Sequence, residues 1–220
     1  MSVENILVLK NYRINDHSKW YNNRTQEQNL IENYKAMEGL CIESAKRYVQ
    51  DLDRVHVFEG DADNIRDVFK TNFYEIYDLW KEGNNILYAD LDVVFINHAR
   101  YFNRTKYFSM FNYTDPRSTE DDHYDIDIDH FFNCGIRYYP ADMPHEIWDI
   151  GFEMLENWNP ERWDSEQVIY NVMMWSQDIS LQDVLNPKLA YQYLYADQEQ
   201  ICNEWNGISY KDFSAVHVNG

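Results

Sequence analysis

Two aspartates, Asp90 and Asp92, stand one residue apart inside an otherwise apolar run, ILYADLDVVF (residues 86–95). Burying two carboxylates side by side strips both of hydration and sets like charges together, which is costly unless something compensates. A divalent cation compensates both at once, because hard oxygen ligands in a close pair suit Mg2+ or Mn2+. Ligands of α/β sheets collect beyond the carboxyl ends of the strands. The pair therefore reads as a strand-end site, one carboxylate on the metal and the other on the metal or on a ligand hydroxyl. The competing reading is a tight acidic turn between two short strands. Other D-x-D triplets occur at Asp51 and Asp53, Asp61 and Asp63, and Asp125 and Asp127, but only residues 90–92 have apolar runs on both sides. The alternation from Asp125 to Asp129 is not a calcium loop, since His130 replaces the glycine and Ile136 the glutamate that such a loop requires.

The elements that must position this pair are legible from periodicity. Ile6 to Leu9 is a short apolar run suited to a buried strand, and the residues from Gln28 to Val49 recur with helical spacing. Arg54 to Phe58 alternates like a second strand, and Asn64 to Lys81 reads as a second helix closed by Gly83. Residues 86–95 follow as the third strand. Strand, helix, strand, helix, strand predicts a parallel α/β sheet in the first half. In the second half, Tyr107 to Phe111, Gly135 to Tyr139 and Ala215 to Val218 read as strands. Glu146 to Trp158 and Ser165 to Trp175 read as helices, and Asp115 to His130 as an acidic loop. The expected fold class is a single α/β domain with a mixed central sheet flanked by helices.

Bulk composition narrows the partners. With 220 residues the chain suits one domain with a sizeable core, and 45% hydrophobic and 16% aromatic residues argue for a globular fold. A net charge of −19 repels phosphate backbones, so nucleic acid is not an expected partner, and a nucleotide ligand would need a metal to reverse the local field. The cysteines Cys41, Cys134 and Cys202 are read as reduced thiols of an intracellular protein. No apolar run approaches the ~20 residues of a membrane span, and a cytoplasmic location is expected.

Four segments taken in order resemble one family. ILYADLDVVF is similar to the metal motif h-h-Y-x-D-x-D of GT-A glycosyltransferases, in particular the retaining group of glycogenin and lipooligosaccharide galactosyltransferases. Phe132-Asn133-Cys134-Gly135 is similar to their F-N-[SA]-G turn under the sugars. Glu166 and Gln167, with Asn171, resemble their D-Q-x-x-x-N helix start, and His217 to Gly220 their terminal H-x-x-G. Lys70-Thr71-Asn72 is a looser match to the K-S-D of related transferases, with Asn72 in place of the aspartate.

The resemblance implies a GT-A, Rossmann-like fold, with residues 1–95 as a nucleotide-binding half and residues 96–220 as an acceptor and metal half, and transfer of a sugar from a nucleoside diphosphate sugar, a UDP-sugar, to a hydroxyl of a saccharide or other acceptor. It implies Asp90, Asp92 and His217 as ligands of Mn2+ or Mg2+, and an imidazole among them tilts the choice towards Mn2+. Asn133, Gly135 and Gly220 would shape the donor site; Lys70 would meet phosphate or sugar, and Tyr12 would stack on the base. Glu166 and Gln167 would face the anomeric carbon. There either residue would stabilise a developing oxocarbenium ion, or Glu166 would be the base of an inverting reaction. Glu166 also reads as an ordinary acidic residue at a helix start. Two alternatives stand beside this reading. One is a haloacid-dehalogenase-type phosphatase with Asp90 as nucleophile, although that motif usually opens its domain and here follows two strand–helix units. The other is a sugar-nucleotide-binding domain without turnover. Trp148, Trp158, Trp163 and Trp175 are candidates for acceptor stacking, with core packing as their default.

Overall fold

The computed structural model describes residues 3–14, 27–63, 65–102, 105–113, 132–157, 165–178, 191–193 and 214–218. Its elements run in the order β1 (Asn5–Ile14), α1 (Glu27–Tyr48), β2 (Arg54–Ala62), α2 (Ile65–Lys81), β3 (Asn85–Ala89), β4 (Val93–Phe95), β5 (Ser109–Tyr113), β6 (Phe132–Tyr139), α3 (His145–Glu156), α4 (Ser165–Trp175), β7 (Tyr191–Tyr193) and β8 (Ala215–Val218). A five-stranded sheet has the order β2-β1-β3-β6-β5, and a three-stranded sheet the order β4-β8-β7. β1 is parallel to β2 and β3, whereas β6 is antiparallel to β3 and β5, so the central sheet is mixed. The α/β class with a mixed sheet agrees with the sequence expectation. No helix among the described residues is long and apolar enough to cross a membrane.

Apolar runs become the innermost strands because both faces of the sheet are covered. Ile6 and Val8 of β1 and Ile86 and Tyr88 of β3 face one core, which α2, α3 and α4 fill with Phe73, Ile76, Trp148, Leu155 and Met173. Leu7, Leu9, Leu87 and Ala89 point the other way, against Cys41 and Ala45 of α1 and against Val93 and Phe95 of β4. The period-2 alternation of the strands thus separates one continuous apolar run into two cores. Trp148 is fully buried and stacks on Tyr139 with centroids 5.2 Å apart, so its default role in packing is the one observed. Gly83 closes α2 with a left-handed φ of 88° and donates its N–H to the Trp80 carbonyl at 2.8 Å, as expected of that glycine.

Three expectations need correction. Residues 86–95 are two strands, not one: β3 ends at Ala89 and β4 begins at Val93, in different sheets. The fifth strand spans Ser109–Tyr113, two residues later than expected, and its register to β6 shifts between Met110 and Asn112. β7 was not anticipated at all, because YQY is too short to carry a periodic signal. The acidic loop from Asp115 to His130 lies outside the described residues.

Candidate metal centre and its polar surroundings

The break between β3 and β4 is where the two aspartates sit. The Asp90 N–H donates to the Gly135 carbonyl at 2.8 Å, continuing the β3–β6 ladder by one more bond. Val93 N–H then reaches back to the Asp90 carbonyl at 3.1 Å, closing the turn that carries Asp92. α1 holds the turn from below. The Ser44 hydroxyl accepts from Phe95 N–H at 3.1 Å, and the Cys41 thiol faces the Asp90 carbonyl at 3.9 Å. The two readings of D-x-D therefore coincide: it is an acidic turn between short strands, and the turn lies at the carboxyl end of β3.

His217 arrives from the far end of the chain. β8 pairs antiparallel with β4, placing His217 opposite Val93. Its Nε2 lies 3.0 Å from Asp92 Oδ1 and 3.6 Å from Asp90 Oδ2, and the residue is 2% exposed. One ligand atom from each of Asp90, Asp92 and His217 lies within 4.8 Å of the others. Neighbouring ligands on an octahedral cation, bound at about 2.0–2.1 Å, stand roughly 3 Å apart, so these separations fit a shared divalent ion. Burial would lower the His217 pKa, but the hydrogen bond to Asp92 and the charges of Asp92 and Asp90 outweigh it and raise the value above that of free imidazole. This imidazole thus holds a proton more tightly than a free one.

Gly135 makes room for that ring. A Cβ at position 135 would stand 2.2 Å from His217 Cε1 and 2.5 Å from Nδ1, closer than any side chain tolerates. Asn133 Oδ1 accepts from Gly135 N–H at 2.8 Å and fixes the strand entry. The sequence reading assigned this glycine to the approach of a sugar; here it admits the histidine.

α4 anchors the start of β6. Asn171 accepts from Phe132 N–H and donates to the Phe132 and Gln167 carbonyls, all at 2.8 Å, while Gln167 Oε1 accepts from Cys134 N–H at 3.3 Å. Gln167 is thereby tied to backbone. Its neighbour Glu166 is engaged by charge, its Oε1 lying 3.4 Å from Lys10 Nζ and 3.5 Å from Arg137 Nη1. Arg137 is 1% exposed, with its guanidinium 3.8 Å from the ring centroids of both Tyr88 and Tyr170. Tyr88 joins this group to the candidate metal centre by donating its hydroxyl to Asp90 Oδ1 at 2.7 Å. Burial first, and then the Asp90 charge, pushes that phenol far above its usual range, so it remains a donor.

The remaining sequence candidates separate. Tyr12 packs its ring against the Gly60 position and donates its hydroxyl to Glu75. Lys70 is exposed on α2, whereas Asn72 is fully buried, and neither of its carboxamide atoms has a hydrogen-bond partner among the described residues. Gly220, Trp158, Trp163 and Cys202 lie outside the described residues. Burial, chiefly, raises the Cys41 thiol and pushes Cys134 up to about 12, so both thiols hold their protons tightly. Sequence reasoning missed Lys10, Tyr88 and Arg137. The signal was the same one that exposed the aspartates: a charge placed inside an apolar strand, as in ILVLK and GIRYY. No protein-family model matches the chain, and no curated protein matches it as a relative.

Proposed function

We propose that this chain is a metal-dependent glycosyltransferase that moves a sugar from a nucleoside diphosphate sugar, a UDP-sugar, to a hydroxyl of a saccharide or other acceptor. The observation that carries the reading is the convergence of Asp90, Asp92 and His217, from segments 125 residues apart, at the carboxyl end of β3. The other resembling segments gather at the same place. Gly135 touches His217, and Gln167 and Asn171 hold the strand that bears it.

In this reading Asp90, Asp92 and His217 hold Mn2+ or Mg2+, which neutralises the diphosphate leaving group as a Lewis acid. Tyr88 orients the Asp90 carboxylate by its hydrogen bond. Asn133 and Gln167 keep the floor of the site in register, and Glu166 presents a carboxylate held in place by Lys10 and Arg137. In this reading Lys70, exposed on α2, would meet a phosphate, and Tyr12, two residues before the end of β1, would stack on the base. A cytoplasmic location and a GT-A fold go with this reading. The phosphatase alternative has less support, because Tyr88 engages Asp90 Oδ1 and His217 faces Oδ2, leaving little freedom for a nucleophile.

The test is a thermal-shift panel of UDP-sugars with and without Mn2+, on the wild type and on Asp92→Ala, followed by assay of UDP-sugar hydrolysis. A donor that binds the native state must raise the melting temperature. The reading expects a Mn2+-dependent shift that Asp92→Ala abolishes. Turnover of p-nitrophenyl phosphate without UDP binding would establish the phosphatase instead, and UDP-sugar binding without turnover a binding domain.

A further inference from the structure

Asp90 offers its two carboxylate oxygens to different partners. Oδ2 faces His217 Nε2 at 3.6 Å, and the same nitrogen lies 3.0 Å from Asp92 Oδ1. Oδ1 instead accepts the Tyr88 hydroxyl at 2.7 Å. The carboxylate is divided: one oxygen stands in the group that could hold a cation, and the other is engaged by a donor.

That donor is held in place. Tyr88 is fully buried, and its cross-strand partner Arg137 sets its guanidinium 3.8 Å from the ring centroid. Arg137 is itself 1% exposed and tied to Glu166 at 3.5 Å, so it does not swing aside to release the ring. A phenol buried in this way has no water to turn to, and losing Asp90 would leave its hydroxyl unsatisfied. The hydrogen bond therefore resists any rotation of the carboxylate that takes Oδ1 away from Tyr88.

Resistance to rotation bears on which ion fits. Mg2+ demands a near-octahedral shell at about 2.0–2.1 Å, and a carboxylate serves it with a single oxygen. Mn2+ shares the octahedral preference. Ca2+ takes about 6–8 oxygens at roughly 2.3–2.6 Å and often draws both from one carboxylate. For Asp90 to chelate in that way, Oδ1 would have to leave Tyr88.

We propose that Tyr88 is a metal-selectivity residue: by holding Asp90 Oδ1 it keeps Asp90 a one-oxygen ligand and favours a small octahedral ion, Mn2+ or Mg2+, over Ca2+. The inference rests on the metal reading above and adds the choice among ions. Tyr88 acts through Asp90 and is a positioning residue. The imidazole of His217 also disfavours Ca2+, so the share of the hydroxyl is the part of the preference that disappears with it.

The experiment measures dissociation constants of Mn2+ and Ca2+, each added alone, by calorimetry on the full chain, for the wild type and Tyr88→Phe. Phenylalanine keeps the ring against Arg137. Asp90, whose side chain is 33% exposed, takes water in place of the lost hydroxyl, so the variant is expected to fold. The wild type should bind Mn2+ at least about tenfold more tightly than Ca2+, and in Tyr88→Phe that ratio should fall at least about fivefold as Oδ1 becomes free to chelate Ca2+. If both ions weaken together and the ratio stays within about twofold, Tyr88 only steadies the carboxylate and the selectivity role is overturned. Equal affinity of the wild type for the two ions overturns it without the variant. Absence of binding by either ion overturns the metal centre and the inference together.

Discussion

The imidazole of His217 occupies the space where Gly135 has no side chain, with only 2.2 Å between its Cε1 and the place a Cβ would take. A residue of β8 is thereby locked onto a residue of β6, although the two strands belong to different sheets. The Asp90, Asp92 and His217 cluster depends on this contact for the position of its imidazole.

Gly135→Ala should therefore displace the His217 ring. We expect a loss of about 1–3 kcal/mol of stability from overpacking and at least a tenfold weakening of Mn2+ binding. Denaturant titration and Mn2+ calorimetry read the two effects separately. Native Mn2+ affinity in this variant would remove the packing explanation for the glycine.

The pH dependence follows from the raised His217 pKa. Without metal, the contact of protonated His217 with Asp92 and Asp90 adds stability that is full below the unfolded value of about 6.5 and is lost as pH climbs through the higher folded value. Metal binding runs the opposite way, since the ion must displace that proton. Mn2+ affinity should rise with pH across the same interval, approaching tenfold per unit while His217 remains protonated. Thermal shifts by Mn2+ at pH 6 and pH 7.5 test it; a larger shift at pH 6 contradicts the assignment of His217 as a ligand.

Asn171→Ala removes three hydrogen bonds, two of them to the buried backbone of Phe132. Loss of a partner by a buried polar group costs on the order of 1–3 kcal/mol, so a destabilisation of about 2–4 kcal/mol is expected from urea midpoints. A loss under about 1 kcal/mol would show that β6 does not need the clamp.

Asn85 offers a contrast at the opposite end of β3. Its Nδ2 donates to Asn5 Oδ1 at 2.9 Å, and its Oδ1 accepts from Ala141 N–H at 2.8 Å and from the Tyr138 hydroxyl at 3.3 Å. Asn85→Leu should cost about 2–3 kcal/mol yet leave Mn2+ affinity within about twofold, because distant sites add independently. A large change in Mn2+ affinity would mean that the two ends of the strand are coupled.

Much of the frame was readable along the chain. ILVL and ILYA announced buried strands because both faces of this sheet are covered, and the 3.6-residue spacing of Phe69, Phe73, Ile76 and Trp80 announced α2 against them. Gly83 marked its end. The D-x-D turn was recognisable as a site because charge inside an apolar run needs a reason. YQY and the late start of β5 were not readable, since pairing partners far along the chain decide such short strands.

By itself, then, the sequence determined that two aspartates stand out of place inside an apolar run, too costly to bury unanswered, while Lys10 and Arg137 were not singled out from it. Only the tertiary structure decided how those charges are answered. Pairing of β4 with β8 set His217 on Asp90 and Asp92, and pairing of β3 with β6 set Arg137 beside Tyr88 and within reach of Glu166. Compensation between charges is a matter of distances of a few ångströms, and no spacing along the chain specifies those until strands far apart in sequence lie side by side.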